Sequence, residues 1–396
     1  MGIRASSGRK WVRFAVPSVL AVLMAAGCGS ATGHTVDSGA PAPAASDAAG
    51  ATVKATNPGG ALTSVGAGWT LAEYSASTVI SGGTARKAGA TTLYLVSPQG
   101  ARKTLYRWAA SQTNWSLLDW SGDKSRALFA GTTPNTVGQL VLATGKFTTF
   151  QLPAGTQPLS YSRPDGTAIL ATQQTSSGDK LLRYDLNGKL EQTLTSGPVN
   201  SASVAIDSPD GTTLAVNGAR ALELVKNSGG IARSLPVPGN PSCEPVRWWN
   251  SSTILATCLA AGQSGSRLWL VPTSGARPTA LTQQRTAKGP DLGDINAYQL
   301  PTGLYLQATG ACGVIFIARQ ASDGSATTVT VPQTTGNDNR IVTAQGSRLL
   351  VRAQTSCQNS TSLLWFTPSS NAVQMLIKTP AGVEGVEAAI PYQPAG

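Results

Sequence analysis

From about residue 68 the hydrophobic positions fall in short runs, each closed by a stretch rich in Gly, Pro, Asn, Asp or Ser. No segment sustains the 3.6-residue period of a long amphipathic helix. One run can be followed along the chain as Leu93-Tyr94-Leu95-Val96, Leu140-Val141-Leu142, Leu182-Arg183-Tyr184, Leu222-Glu223-Leu224-Val225, Leu268-Trp269-Leu270-Val271, Ile315-Phe316-Ile317 and Leu364-Trp365-Phe366. Successive starts lie 47, 42, 40, 46, 47 and 49 residues apart, which is the length of a four-stranded repeat. In each unit an apolar strand, a tight turn, a second apolar strand and a loop lead into this third run, and a fourth strand follows. The first turn reads Arg163-Pro164-Asp165-Gly166 in one unit and Ser208-Pro209-Asp210-Gly211 in the next, with Ser121-Gly122-Asp123-Lys124 as a weaker form. Pro presets φ, Asp bonds its own backbone and Gly accepts a positive φ, so these aspartates read as structural. Apolar strands follow at Ala168-Ile169-Leu170-Ala171 and Leu214-Ala215-Val216.

Seven such units predict an all-β fold, a seven-bladed β-propeller of four-stranded antiparallel blades. Residues 67–96 are longer and less regular than the other units, which leaves eight blades open. Val383–Tyr392 lies just beyond the last unit and is available to close the ring. The turn motif and the strands after it resemble the TolB-like, WD40-like β-propeller family over roughly residues 64–392. That resemblance implies an extracytoplasmic propeller that binds other proteins or cell-wall components. Nothing like the α/β domain of TolB itself precedes the repeats, so a Tol–Pal role is not implied. Some actinobacterial lipoproteins also join a propeller to sensor kinases. The Ala/Gly/Thr-rich composition suits such a source, although the extra domain they carry is missing here.

The N-terminus has the three parts of a secretion signal. Arg4, Arg9, Lys10 and Arg13 make a basic start, an apolar run extends from Phe14 to Ala26, and small residues precede Cys28. Met24-Ala25-Ala26-Gly27-Cys28 resembles a bacterial lipobox, with Ala25 where Leu is favoured. Residues 1–27 therefore read as a lipoprotein signal peptide, too short to span a membrane, and Cys28 as the lipid-attachment residue. Residues 28–62 read as a linker of Ala, Gly, Pro, Ser and Thr with too little apolar surface to offset its chain entropy. As a flexible coil it spans roughly 30 Å. Residues 63–396 form the propeller domain, held by the lipid anchor to the outer face of the cell membrane. Loss of the four basic residues with no acidic one lowers the net charge from +11 to +7, a mild excess compatible with anionic headgroups or wall polymers. No cluster of Lys and Arg interleaved with aromatics suggests nucleic acid. A monomer is expected.

Four cysteines remain in an oxidising compartment, so disulfides are the default reading. Cys243 and Cys258 flank a hairpin near Asn250-Ser251-Ser252 and are expected to face each other diagonally and pair. Cys312 and Cys357 follow Leu304 and Leu349 by eight residues each, at matching places in adjacent units, and form the second expected pair. With His34 the single histidine and no C-x-x-C spacing, no metal site and no cofactor are expected.

The same lone histidine, placed in the linker, removes Ser/His/Asp and Cys/His chemistry from the domain. The G-x-S-x-G elbow, the phosphate-cradling loop and the calcium loop are also absent. Asp291, Asp294 and Asp338 fall in connections entering two late units and read as solvated loop residues. Most of the tryptophans on strands read as inter-blade core. Adjacent Trp248 and Trp249 point to opposite sides, so one can reach a surface suited to stacking. Two functions follow. The first is a non-catalytic binding platform, not an enzyme and with no catalytic residues, for an envelope protein or cell-wall polymer. The alternative is a histidine-independent hydrolase or lyase acting on carbohydrate or ester. Three or more acidic side chains gathered at one mouth of the channel favour the second; dispersal around the rim favours the first.

Overall fold

The computed structural model describes residues 62–393, apart from 80–85, 113–114, 134, 177, 196–200, 219–220, 241, 261–264, 285–290, 311–312 and 356–359. The signal segment 1–27, Cys28, His34 and nearly all of the 28–62 linker lie outside these residues, as do Cys312 and Cys357.

Four-stranded antiparallel meanders occupy 115–151, 156–193, 201–235, 242–280, 291–329 and 339–377. One further sheet joins the two ends of the described chain. Strand Val383–Pro391 pairs antiparallel with Thr70–Val79, which continues through Thr91–Val96 to Arg102–Trp108. The segment expected to close the ring therefore does so, by placing Ile390 opposite Leu71 and Ala388 opposite Glu73. Each third-strand run identified in the sequence lies in the third strand of its sheet.

Continuous apolar runs are needed because each sheet is buried on both faces. Ile169 and Ala171 turn toward the sheet before, joining Leu128, Val137 and Tyr161, whereas Leu170 turns toward the sheet after, joining Leu214 and Val216. The alternation repeats at Ile254 and Ala256 against Leu255, and at Leu349 and Val351 against Leu350. A separate apolar cluster thus sits between every successive pair of sheets. Leu350, Leu363 and Trp365 of the last meander meet Ala72, Val96 and Val386 of the joined sheet, so the series returns on itself. Fully burying a side chain of this size contributes about 1.5–3 kcal/mol, and the clusters together hold the array.

The expected turns form as read. Gly166 and Gly211 take φ of 75° and 69°, a region that costs a residue with Cβ. Asp210 accepts from Ser208 Oγ at 2.5 Å and from the Thr212 amide at 3.1 Å. Asp123 does the same with Ser121 Oγ and the Ser125 amide, at 2.6 and 2.9 Å. Trp120 and Trp365 are buried in the inter-sheet clusters.

Cys243 and Cys258 lie directly opposite each other, with their sulfurs 2.10 Å apart. The expected diagonal offset is absent because two irregularities, between Pro245 and Arg247 and between Trp248 and Asn250, shift the register of the hairpin. No helix among the described residues is long and apolar enough to cross a membrane.

Candidate functional site

The first strands of five meanders, those starting at 156, 201, 242, 291 and 339, line a central cavity of about 740 Å³, and strand Val383–Pro391 supplies the same wall for the joined sheet. Residues at the C-terminal ends of these strands gather at one mouth, next to the turns that lead into the second strands. Arg163 is the organising side chain there. Its Nη2 lies 2.8 Å from Asp119 Oδ1, its Nη1 donates to the Trp120 carbonyl at 3.0 Å, and its amide donates to Asp207 Oδ2 at 3.3 Å. Asp119 Oδ2 accepts in turn from the Tyr161 amide at 2.8 Å. One arginine and two aspartates therefore tie three neighbouring sheets together.

The two aspartates differ in what they leave free. Asp119 stands behind the wall with both oxygens engaged; burial raises its carboxyl pKa while Arg163 opposes that shift. Asp207 lines the cavity itself, and burial pushes its carboxyl up to about 7 against the opposing charge of Arg163. Its Oδ1 is buried with no hydrogen-bond partner among the described residues. A carboxyl near neutrality with an unengaged oxygen can both donate and accept a proton at physiological pH.

Aromatic faces complete the wall. Trp248, Trp249, Tyr298 and Tyr392 all line the cavity. Trp248 and Trp249 also reach opposite apolar clusters, as strand alternation requires.

A second cavity of about 420 Å³ is lined by Glu73, Glu384 and Glu387 together with Ser75, Ser77 and Arg86. Glu73 Oε2 accepts from the Leu117 amide at 2.7 Å, and burial raises its carboxyl to about 7, helped by the charge of Glu387. Glu387 is itself raised, by burial and by Glu384. Glu384 Oε1 is held 2.6 Å from Arg86, and Ser75 Oγ lies 3.0 Å from its Oε2. Among the described residues no group of three or more His, Cys, Asp and Glu is arranged to hold a metal ion.

Of the loop aspartates singled out in the sequence, Asp294 is fully buried in strand Asp291–Leu300 rather than solvated. Asp338 forms ion pairs with Arg340 and Arg352, at 2.9 and 4.0 Å. Neither lines the central cavity, and the Asp291 side chain lies outside those described. Asp119, Arg163 and Asp207 were not singled out, because a polar residue beside a turn motif reads as solvent-facing. Their recurrence at the same end of successive first strands is the signal that marks them.

No family profile matches the chain, and no curated protein does. Among solved structures it is similar to a puromycin hydrolase at 13% identity, covering 84% of this chain and 57% of that one, with a TM-score of 0.50. It is also similar to a prolyl endopeptidase, from work on two such enzymes, at 11% identity, 78% and 50% coverage and a TM-score of 0.50. A putative TolB from Agrobacterium tumefaciens matches at 14% identity, 77% and 98% coverage and a TM-score of 0.43. The fold is a β-propeller. The chain spans about half the length of the two peptidases, and at these identities the likeness is one of fold.

These neighbours correct the expectation of a non-catalytic binding platform and of a chain that is not an enzyme. The propeller occurs in enzymes such as the puromycin hydrolase and the prolyl endopeptidase, so a domain without histidine cannot be assigned to binding on fold and composition alone. The physical reason is equally local. The loop aspartates are expected to be solvated, whereas Asp294 is fully buried, desolvation raises the carboxyls of Asp207 and Glu73 to about 7, and three glutamates share one cavity.

Proposed function

We propose that this protein is a histidine-independent hydrolase or lyase acting on a carbohydrate or ester, with Asp207 as the proton-transferring group. The observation that carries this reading is Asp207, which lines a cavity of about 740 Å³ walled by aromatic side chains, has its carboxyl raised to about 7, and keeps one buried oxygen without a hydrogen-bond partner. In hydrolysis the protonated carboxyl donates to the departing oxygen as the C–O bond breaks. Water supplies the hydroxyl to the other fragment, and its remaining proton restores the carboxyl. Arg163 is a positioning residue that holds the Asp207 carboxylate through its amide and places positive charge nearby. The acidic cavity around Glu73 gathers three carboxyls, but Glu73 is already engaged by the Leu117 amide and Glu384 by Arg86 and Ser75, so the larger cavity is the better reaction site.

The propeller is read as seven-bladed, supported by the six meanders and the joined sheet. Export under the 1–27 signal, lipidation at Cys28 and anchoring through the 28–62 linker to the outer membrane face, in an actinobacterial envelope, place the 63–396 domain among exported glycans and esters. A Cys312–Cys357 bridge and a monomeric state complete the proposal.

Asp207→Asn tests it directly. Turnover of fluorogenic glycosides and esters, or the ultraviolet absorbance of an unsaturated uronide, is expected to fall about 10²–10⁴-fold with the fold intact by circular dichroism. Because the donor must be protonated, the parent activity declines as pH rises through about 7. Turnover unaffected by Asp207→Asn, or none from the parent across these substrates, refutes the assignment.

A further inference from the structure

The central cavity holds a second arginine whose surroundings differ from those of Arg163. Arg247 lines the cavity from strand Ser242–Asn250, and its guanidinium carbon lies 4.9 Å from the Trp249 ring centroid and 4.8 Å from that of Tyr298. The planar cation is thus clamped between two aromatic faces, an arrangement that fixes its orientation without neutralising it. Its hydrogen bonds go to neutral oxygens, namely Asn296 Oδ1, the Trp248 carbonyl and the Ala297 carbonyl. No acidic side chain among the described residues lies within ion-pair distance of it. Those three bonds leave part of its five-donor fork unused.

Burying a charge without a counter-ion is costly, and the same guanidinium would be better served by water or by an Asp. Arg163 shows the alternative within this protein, since its charge is met by Asp119 at 2.8 Å. The cavity is therefore cationic, with two arginines facing it and Asp207 as the acidic group that also lines it.

We infer that Arg247 is an anchor for a carboxylate group on the substrate, and that the substrate class is an acidic saccharide of the hexuronic type. This rests on the carbohydrate- or ester-acting reading above and narrows it. A guanidinium matches a carboxylate with two parallel hydrogen bonds, while Trp248, which lines the same cavity, offers flat apolar surface for a face of the ring. The cavity volume lies within the range of small-molecule sites. Asp207 lines the same cavity from the first strand of the preceding sheet, so an anchored uronide brings its glycosidic oxygen into the cavity that holds this carboxyl.

The experiment is a fluorescence titration of the purified chain, using its tryptophans as reporters, with a hexuronic-acid trisaccharide and its carboxyl-reduced neutral counterpart. The parent protein is expected to bind the acidic trisaccharide about 10-fold or more tightly than the neutral one, with a preference that shrinks as salt is raised. Arg247→Gln is expected to bring the two affinities together, and Arg247→Lys to retain only part of the preference. Equal affinities in the parent protein overturn the inference without reliance on any variant, as does an undiminished preference in Arg247→Gln. Preference for the carboxylate of a tripeptide over the uronide overturns the saccharide assignment. Asp207→Asn is run alongside: if it keeps the acidic preference and also full turnover, the catalytic reading fails while the anchor stands. If it loses turnover while the parent shows no acidic preference, the anchor fails and the catalytic reading stands.

Discussion

Glu73 and Asp207 both titrate near neutrality inside the same propeller, yet their settings are opposite in charge and in use. Each accepts one backbone amide from a neighbouring sheet, Glu73 from Leu117 and Asp207 from Arg163, but Glu73 stands among two further glutamates whereas Asp207 stands among arginines. A raised pKa by itself therefore does not separate a structural carboxyl from a reactive one. What separates them is the sign of the neighbouring charge, since Glu387 pushes Glu73 further up while Arg163 draws Asp207 back down. Gln307 supplies the control inside the molecule. Its Oε1 accepts from the Ile341 amide at 2.7 Å, the same distance as Glu73 to Leu117, and Leu117 and Ile341 are each the third residue of a first strand. A neutral amide does that latching job, so the charge on Glu73 is not needed for it.

The largest effect is expected where the cationic mouth depends on a buried partner. Asp119→Ala removes the carboxylate that faces Arg163 and the acceptor for the Tyr161 amide, and leaves a guanidinium at 15% side-chain exposure without its counter-ion. Breaking such a pair costs about 3–5 kcal/mol, read as a lowered midpoint in urea unfolding. A loss under about 1 kcal/mol would show that Arg163 finds solvent easily and that the mouth is less closed than its geometry indicates.

An intermediate effect tests the other cavity through pH. The folded state raises Glu73 from 4.5 to about 7, through burial first and Glu387 second. The folded chain therefore binds this proton more tightly than the unfolded one. The corresponding stability is present below about pH 4.5 and is lost as pH rises through about 7. Glu73→Gln keeps an acceptor for Leu117, as Gln307 does for Ile341, and removes the titration. The variant is expected to gain on the order of 1–3 kcal/mol relative to the parent between pH 5 and pH 8, measured by unfolding at each pH. A constant difference across that range would place the titration elsewhere, with Glu387 the neighbour to examine next.

The contrast also explains what the sequence disclosed. The sheets were legible because every second and third strand is buried on both sides, so Ala168–Ala171 or Leu268–Val271 reads as an uninterrupted apolar run. The turns were legible because Pro, Asp and Gly act locally. Asp207 was not legible as a site residue, because it directly precedes Ser208-Pro209-Asp210-Gly211 and its partner Arg163 lies 44 residues earlier. The register of Cys243 against Cys258 escaped for a related reason, since irregularities in the strand cannot be counted from a turn position. Charges whose surroundings come from other sheets are the part that local pattern cannot supply.

The smallest expected effect concerns the rim of the acidic cavity. Arg86 is 2.6 Å from Glu384 but its side chain is 74% exposed, against 15% for Glu384. An exposed partner is screened by water and salt and loses rotamer freedom when it pairs, so the contact contributes at most about 0–1 kcal/mol. Arg86→Ala is expected to leave the unfolding midpoint nearly unchanged, and high salt to abolish whatever difference remains. Its informative consequence is electrostatic. The guanidinium is one of the charges that oppose the upward shift of Glu387, so its removal raises that carboxyl further and moves the Glu387 titration, followed by carboxyl carbon NMR, to higher pH. A shift of Glu387 in the other direction, or a stability loss as large as that of Asp119→Ala, would mean that Arg86 is a buried structural partner and that the two cavities are built alike.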